Sequence, residues 1–370
     1  MNDRPQSDAL QTRSRRSRSG KSASRRVTMT DIAKAAGCSQ ATVSFVLNNT
    51  PGIKLSAQTR QRVAEAARAL GYRLPAPTRV VPQRSPVTML DGVIGFMVDQ
   101  LATSPEAVVA IEGARQASWN AGNVVLVAQT MNDPVMEPRA MEALKAQHIS
   151  GLIYMTIFTR EIVAPEFLHA LDMPVVLLNC YTADYAFPAV VPSEIAGGQS
   201  ATQHLIDHGH RRIATITGEP WMQAAQDRLE GYRRALATAD IPFDADLVIE
   251  GDWSASAGYA ATVRLLQLDQ RPTAIFCQND RTAIGCYEAL KEAGLHIPED
   301  ISVVGYDDEE IARHLFPPLT TLILPHQAMG QWAIEQLETP AHQAGGRHPI
   351  TKLECPLVER GSVARVKNDR

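Results

Sequence analysis

Between residues 93 and 305, eight short apolar runs alternate with amphipathic helices, and this alternation leaves the chain very few folds. The runs are 93–98, 124–128, 151–155, 175–178, 212–217, 247–250, 274–277 and 302–305. Strands apolar on both faces, each followed by a helix, build a parallel sheet covered on both sides. Eight of them exceed one sheet of ordinary size, so two α/β subdomains are expected. Ligands of such sheets sit in the crevice at the carboxyl ends of the strands. Four side chains stand at such ends. Arg228, in DRLEGY, is a rigid donor fork suited to two adjacent hydroxyls. Trp253, in GDWS, offers a flat apolar face that matches the C–H face of a sugar ring. Asn279 follows TAIFCQ, and Asp307 follows SVVGY and can accept from two hydroxyls. Plain structural readings stand beside these: Arg228 and Asp307 as an ion pair, Trp253 as core, and Asp280 as the cap of a helix beginning at Arg281.

The first part of the chain follows a helical period instead. In TDIAKAAGCSQATVSFVLN, residues 30–48, Ile32, Ala33 and Ala36 form a small apolar stripe. Gly37 sits where a first helix must stop, and Ser39 can cap a second one. Val43, Val46 and Leu47 face back onto the first helix. Gln40, Ala41, Thr42, Ser44, Phe45 and Asn48 remain outside, a small and polar face of the kind that enters a major groove. A third helix is expected over 56–70, capped by Ser56, with Val63, Ala66, Ala67 and Leu70 inward and Gly71 as its stop. Three such helices make a minimal DNA-binding unit, although a plain helical hairpin has the same pattern.

Charge divides the chain in the same way. Residues 1–79 hold 15 Lys/Arg against 4 Asp/Glu, and the remainder holds 21 against 36. A basic head on an acidic body suits a nucleic-acid binder whose body stays off the DNA. Residues 1–26 are basic and of low complexity, either a phosphate-attracting arm or a solubilising extension. The five cysteines form no CxxC pair, so structural thiols in a reduced, cytoplasmic protein are expected. No run of 18 apolar residues and no secretory signal is visible, so no membrane span is expected. GxSxG, HExxH, Walker and strand-linked GxGxxG patterns are absent, which points away from an enzyme and gives no cofactor or metal site.

VTMTDIAKAAGCSQATVSFVLNN, followed by TRQRVAEAARALGY, resembles the headpiece of the lac-repressor/gal-repressor (LacI/GalR) family of bacterial transcription regulators. GHRRIATITG, RLEGYRRAL, QNDRTAIGCYEALKEAGLHIPEDISVVGYDDEEIA and PPLTTL carry the resemblance through to about residue 360. It implies a helix-turn-helix headpiece over 27–72, a hinge over 73–90 and a periplasmic-binding-protein-like core over 91–360, followed by a tail over 361–370. The N-subdomain would take about 91–192 and 320–345, and the C-subdomain about 193–318 and 346–360. Base contact is implied for Gln40, Ala41, Ser44, Phe45 and Asn48, and phosphate contact for Thr28, Ser39, Thr42 and Tyr72. Phe45 stands where many relatives have Arg; it can touch a thymine methyl but cannot read guanine, so a different half-site is expected. Val81 stands at the hinge position that wedges the minor groove in relatives, among Pro75, Pro77, Pro82 and Pro86.

In the core, the resemblance implies effector contact for Arg228, Trp253, Asn279 and Asp307, with Pro105 and Phe158 as candidates from the other subdomain. Val-Pro-Ser-Glu at 191–194 departs from the family's Val-x-x-Asp, so no contact is assigned there. The expected whole is a homodimeric repressor on a pseudo-palindromic double-stranded DNA operator, controlled by a small sugar. A tetramer is not expected, because no leucine heptad follows Leu357. The rival readings are a purine-type regulator whose ligand is a corepressor, and a sugar-binding protein without a regulatory role.

Overall fold

The computed structural model describes residues 29–38, 43, 46, 57–70, 92–102, 105–339 and 346–366. The chain divides into two compact units between residues 85 and 86. In the first, α1 (Met29–Ala36) and α2 (Ala57–Ala69) pack around Ile32, Ala33, Ala36, Val43, Val63 and Ala67, with Val46 and Ala66 partly buried against them. Gly37 takes φ +61°, and the Cys38 N–H donates to the Ala33 carbonyl at 3.1 Å, closing the last turn of α1. Leu70, expected inward, is 39% exposed, because the helix ends at Ala69 and the next residue leaves the core stripe. Ser56 and Gly71 lie outside the described residues.

The second unit has two lobes. The first is built on a six-stranded, wholly parallel sheet. Its strands are β1 (Val93–Val98), β2 (Val124–Gln129), β3 (Gly151–Ile162), β4 (Val175–Thr182), β5 (Ala189–Pro192) and Ile350–Leu353. One face is closed by α3 (Glu106–Asn120) and the helix His326–Leu337, whose Met329, Ala333 and Ile334 join Phe96, Ile153 and Leu178. Met141, Leu144 and Leu168 close the other face. The second lobe carries a four-stranded parallel sheet of Ile213–Ile216, Val248–Ile249, Ala274–Cys277 and Ser302–Val304. Its helices include Glu194–Asp207, Gln223–Thr238, Ala255–Leu266 and Asp280–Glu292. AIFC at 274–277 is buried at all four positions, as a strand covered on both faces must be. Among the described residues no helix is long and apolar enough to cross a membrane.

All eight expected runs contain strands, some with shifted ends, and four more strands lie among the described residues. The crossings between lobes differ from expectation. Ile350–Leu353, expected in the C-subdomain, pairs with Ala189–Pro192 in the first sheet. Thr321–Leu322, expected in the N-subdomain, lies beside the second sheet. Thr320 bridges Val304, Ile323 bridges Asp307, and Leu319 and Leu322 are fully buried in that lobe. Leu357–Val358 then returns antiparallel to it. Burial decides the crossing: the apolar side chains around 319–322 are consumed by the second core, and ITKL at 350–353 is a half-exposed edge.

Candidate functional site

The carboxyl ends of both sheets face one cleft of about 870 Å³ between the lobes. Pockets of this size hold ligands the size of one or two sugar rings. Arg228, from the helix Gln223–Thr238, stands at its floor with its side chain 4% exposed. Nε and Nη2 donate to the two carboxylate oxygens of Glu194, at 2.7 and 3.0 Å. Nη1 donates to the Gln278 carbonyl and lies 3.6 Å from Asp307 Oδ1. The guanidinium lies over the Tyr306 ring, 3.7 Å from its centroid, and 5.5 Å from that of Trp253. Burial opposes the Arg228 charge, but Glu194, Tyr306 and Asp307 reverse that and hold the guanidinium firmly protonated.

Asp307 follows the strand Ser302–Val304 at φ +113°, a backbone region that residues other than glycine rarely occupy. Burial pushes its carboxyl well upward, Arg228 pulls it back, and Glu106, Asp280 and Glu309 add to the rise. Trp253 sits at φ +68°, with Nε1 donating to Met222 Sδ at 2.9 Å. Asn279 is the cap of the helix Asp280–Glu292: its Oδ1 accepts from the Thr282 N–H, and its Nδ2 donates to the Trp253 carbonyl at 3.0 Å. Asp280 is therefore not the cap; it is buried inside the first turn, accepting from Thr321 Oγ1 and the Glu309 N–H. From the first lobe, Phe158 reaches the cleft on the long extension of β3 and meets the second lobe's Trp221 edge-on at 6.2 Å. Asn179 holds that extension, donating to the Thr156 and Ile157 carbonyls and accepting from Thr159. Pro105 precedes α3 and is exposed; its neighbour Glu106 lines the cleft instead.

Known proteins are similar in sequence and fold. Residues 28–74 match the model of bacterial regulatory proteins of the lacI family, and 202–363 match the periplasmic binding protein-like domain. The ribose operon repressor of Haemophilus influenzae (strain ATCC 51907 / DSM 11121 / KW20 / Rd) is 33% identical over 310 residues, 84% of this chain and 90% of that protein. The chain belongs to the lacI family. The HTH-type transcriptional repressor PurR of Aliivibrio salmonicida (strain LFI1238) is 30% identical over 310 residues, covering 84% of this chain and 91% of that one. The solved complex of the transcriptional regulator CelR with cellobiose superposes with a TM-score of 0.62 at 30% identity, covering 91% of this chain and 100% of that one. The chain is a DNA-binding transcriptional repressor under ligand control.

In this lacI-family repressor the cleft brings together Arg228, Trp253, Asn279, Asp307 and Phe158, and leaves Pro105 aside. The expected DNA-contact residues Thr28, Ser39, Gln40, Ala41, Thr42, Ser44, Phe45, Asn48, Tyr72 and Val81 lie outside the described residues. Glu194, Glu106, Trp221 and Asn179 were not foreseen. Glu194 carried no local signal, because its partner Arg228 lies 34 residues away.

His326 opens the helix His326–Leu337 on the cleft wall, 3% exposed, with neither ring nitrogen hydrogen-bonded to protein. Burial drives its pKa down to about 4, Glu194 pulling it upward and Arg228 adding to the fall. The unfolded ring, near 6.5, binds its proton first, so stability is lost as pH falls from about 6.5 towards 4. His326→Phe is expected to gain about 2 kcal/mol relative to the unsubstituted protein between pH 7 and pH 5. Urea unfolding of both proteins at the two pH values checks this; an unchanged gap would show that the ring is not held neutral.

Proposed function

We propose that the cleft takes a small sugar, and that its occupancy sets the operator affinity of a homodimer. One observation carries the sugar reading: a buried acceptor without a donor, Asp307 Oδ1, and aromatic faces line the same cleft. Arg228 and Asp307 lie beside the Trp253 ring, and Phe158 and Trp221 stand across from each other at the mouth. Polar edges beside aromatic faces match a ring with hydroxyls on its rim and C–H groups on its faces. The CelR–cellobiose complex, with its similar core, supports the same class. The kinship with PurR favours the purine-type alternative at the level of ancestry, but the cleft offers this chain no further support for it.

The dimer reading rests on exposed apolar side chains that a monomer would leave in water. Val124 and Val127 lie on the edge strand β2, Val108 and Trp119 on α3, and Val135 and Met136 just beyond β2. A two-fold pair of heads would read a pseudo-palindromic operator through Gln40, Ala41, Ser44, Phe45 and Asn48, with Thr28, Ser39, Thr42 and Tyr72 on phosphates and Val81 at the hinge. Such a repressor acts in the cytoplasm, where the operator is. A sugar bound between the lobes favours the more closed pair and shifts the dimer between DNA-competent and DNA-incompetent states by its difference in affinity for the two.

Selection of binding sites from random duplex DNA, followed by mobility shift with ribose, glucose and cellobiose, tests the reading. A two-fold motif whose affinity changes at least tenfold with one of the sugars is expected. Response to hypoxanthine or guanine and to no sugar would transfer the cleft to the purine class. Sedimentation at micromolar protein is expected to give the mass of two chains.

A further inference from the structure

The cleft's charge is lopsided. Its lining carries Glu106, Glu194, Glu219, Asp252, Asp307 and Glu309 against two guanidiniums, Arg228 and Arg281. Arg281 pairs with Glu309 at 2.9 Å. Arg228 is held bidentately by Glu194, whose side chain is 2% exposed, so the pair is shut from solvent on both sides. A free guanidinium at a cleft floor would be a fork for carboxylate or phosphate. Here that fork is already filled from within the chain, and the Tyr306 ring covers one of its faces.

The acceptors around it are unmatched. Asp307 Oδ1 and Glu106 Oε2 are buried without a hydrogen-bond donor, and oxygens of Glu106, Asp307 and Glu309 lie within 4.8 Å of one another. Buried acceptors of this kind want donors. A hydroxyl or an ammonium supplies them; a carboxylate or phosphate brings only further acceptors and a like charge.

We propose that Glu194 sets the charge class of the effector: by occupying Arg228 it closes the cleft to sugar acids and sugar phosphates and leaves it open to neutral and amine-bearing sugars. This rests on the sugar reading above and narrows it. Glu194 acts through Arg228 and is a positioning residue. It opens the helix Glu194–Asp207 and lines the cleft. The specificity is built by rejection, since an arginine left free would attract what the occupied one refuses.

The test uses the full chain and matched probes: glucose, glucosamine, ribose and cellobiose on one side, glucuronate, gluconate and glucose 6-phosphate on the other. Thermal shift and calorimetry are read for the unsubstituted protein and for Glu194→Gln, Glu194→Ala and Glu194→Asp. The unsubstituted protein is expected to bind no acidic probe within about fifty-fold of its best neutral or amine-bearing one. Glu194→Gln and Glu194→Ala should bind an acidic probe at least tenfold more tightly than the unsubstituted protein does, and Glu194→Asp, which keeps the charge, should not. A merely structural role would move the melting point without moving this charge preference. An acidic probe bound by the unsubstituted protein as tightly as its neutral counterpart overturns the proposal. So does a folded Gln or Ala variant, by circular dichroism, that gains no acidic probe. Should both variants fail to fold, the fifty-fold gap in the unsubstituted protein decides alone, and its absence counts as refutation. If no neutral probe binds but the Gln variant gains the acids, the sugar reading falls and the role of Glu194 stands.

Discussion

Arg228→Ala will destabilise the core by about 3–5 kcal/mol and abolish the effector response. Both effects come from one geometry. Arg228 is 4% exposed and Glu194 2% exposed, and removing the guanidinium leaves the Glu194 carboxylate buried with its fork gone. The Gln278 carbonyl loses a donor in the same step. An uncompensated buried charge costs far more than the net worth of the pair. The companion double variant, Arg228→Met with Glu194→Leu, removes both charges at similar volume and is expected to recover most of that loss. It will still lack an effector response, because Asp307 has lost the guanidinium 3.6 Å away that places its carboxylate. Urea unfolding of Arg228→Met, of Glu194→Leu and of the double isolates the coupling between the side chains, and operator titration with the active sugar reads the response. A single variant less than 1 kcal/mol below the unsubstituted protein would mean that solvent enters and rescues the carboxylate, a result the burial forbids.

From sequence, Arg228 and Asp307 stand as a candidate ion pair or as two ligand contacts. In the fold Arg228 has two carboxylates, and the nearer belongs to Glu194, not Asp307. The separation of 34 residues explains why no local pattern announced it. The parallel strands were legible because burial on both faces leaves unbroken apolar runs such as VIGFMV and AIFC. Ile350–Leu353 was not, because an edge strand with Thr and Lys in it has neither a run nor a clean alternation. Thr321–Leu322 and Leu357–Val358 are two residues each, below any periodic signal. The cap of the helix Asp280–Glu292 was misassigned for a related reason. Asn279 and Asp280 are both capping types, and only the extended backbone at Asn279 selects the first. The cleft's far wall was half legible: Phe158 belongs to it, whereas Pro105 merely precedes the helix that delivers Glu106.

Gly218→Ala will weaken sugar binding by tenfold to a hundredfold, roughly 1.4–2.8 kcal/mol, without touching any polar group of the cleft. A Cβ at residue 218 would lie 1.9 Å from Trp253 Cζ2 and 2.0 Å from Cε2, far inside van der Waals contact. The indole cannot swing away freely. Its backbone is fixed at φ +68°, Asn279 holds its carbonyl, and Nε1 is bonded to Met222 Sδ. Either the ring tilts and its stacking face turns from the ligand, or the Gly218 segment moves and strains the strand end before it. Overpacking of this kind also costs about 1–3 kcal/mol of stability. The second change that separates the two costs is Trp253→Leu on the Gly218→Ala background. The smaller side chain relieves the overlap, so stability should return while affinity stays low, because the flat face is absent. Recovery of affinity together with stability would show that Trp253 is packing and not a stacking platform. An unchanged melting point and unchanged affinity in Gly218→Ala itself would mean that the indole is free to leave its seat, against the three restraints that hold it.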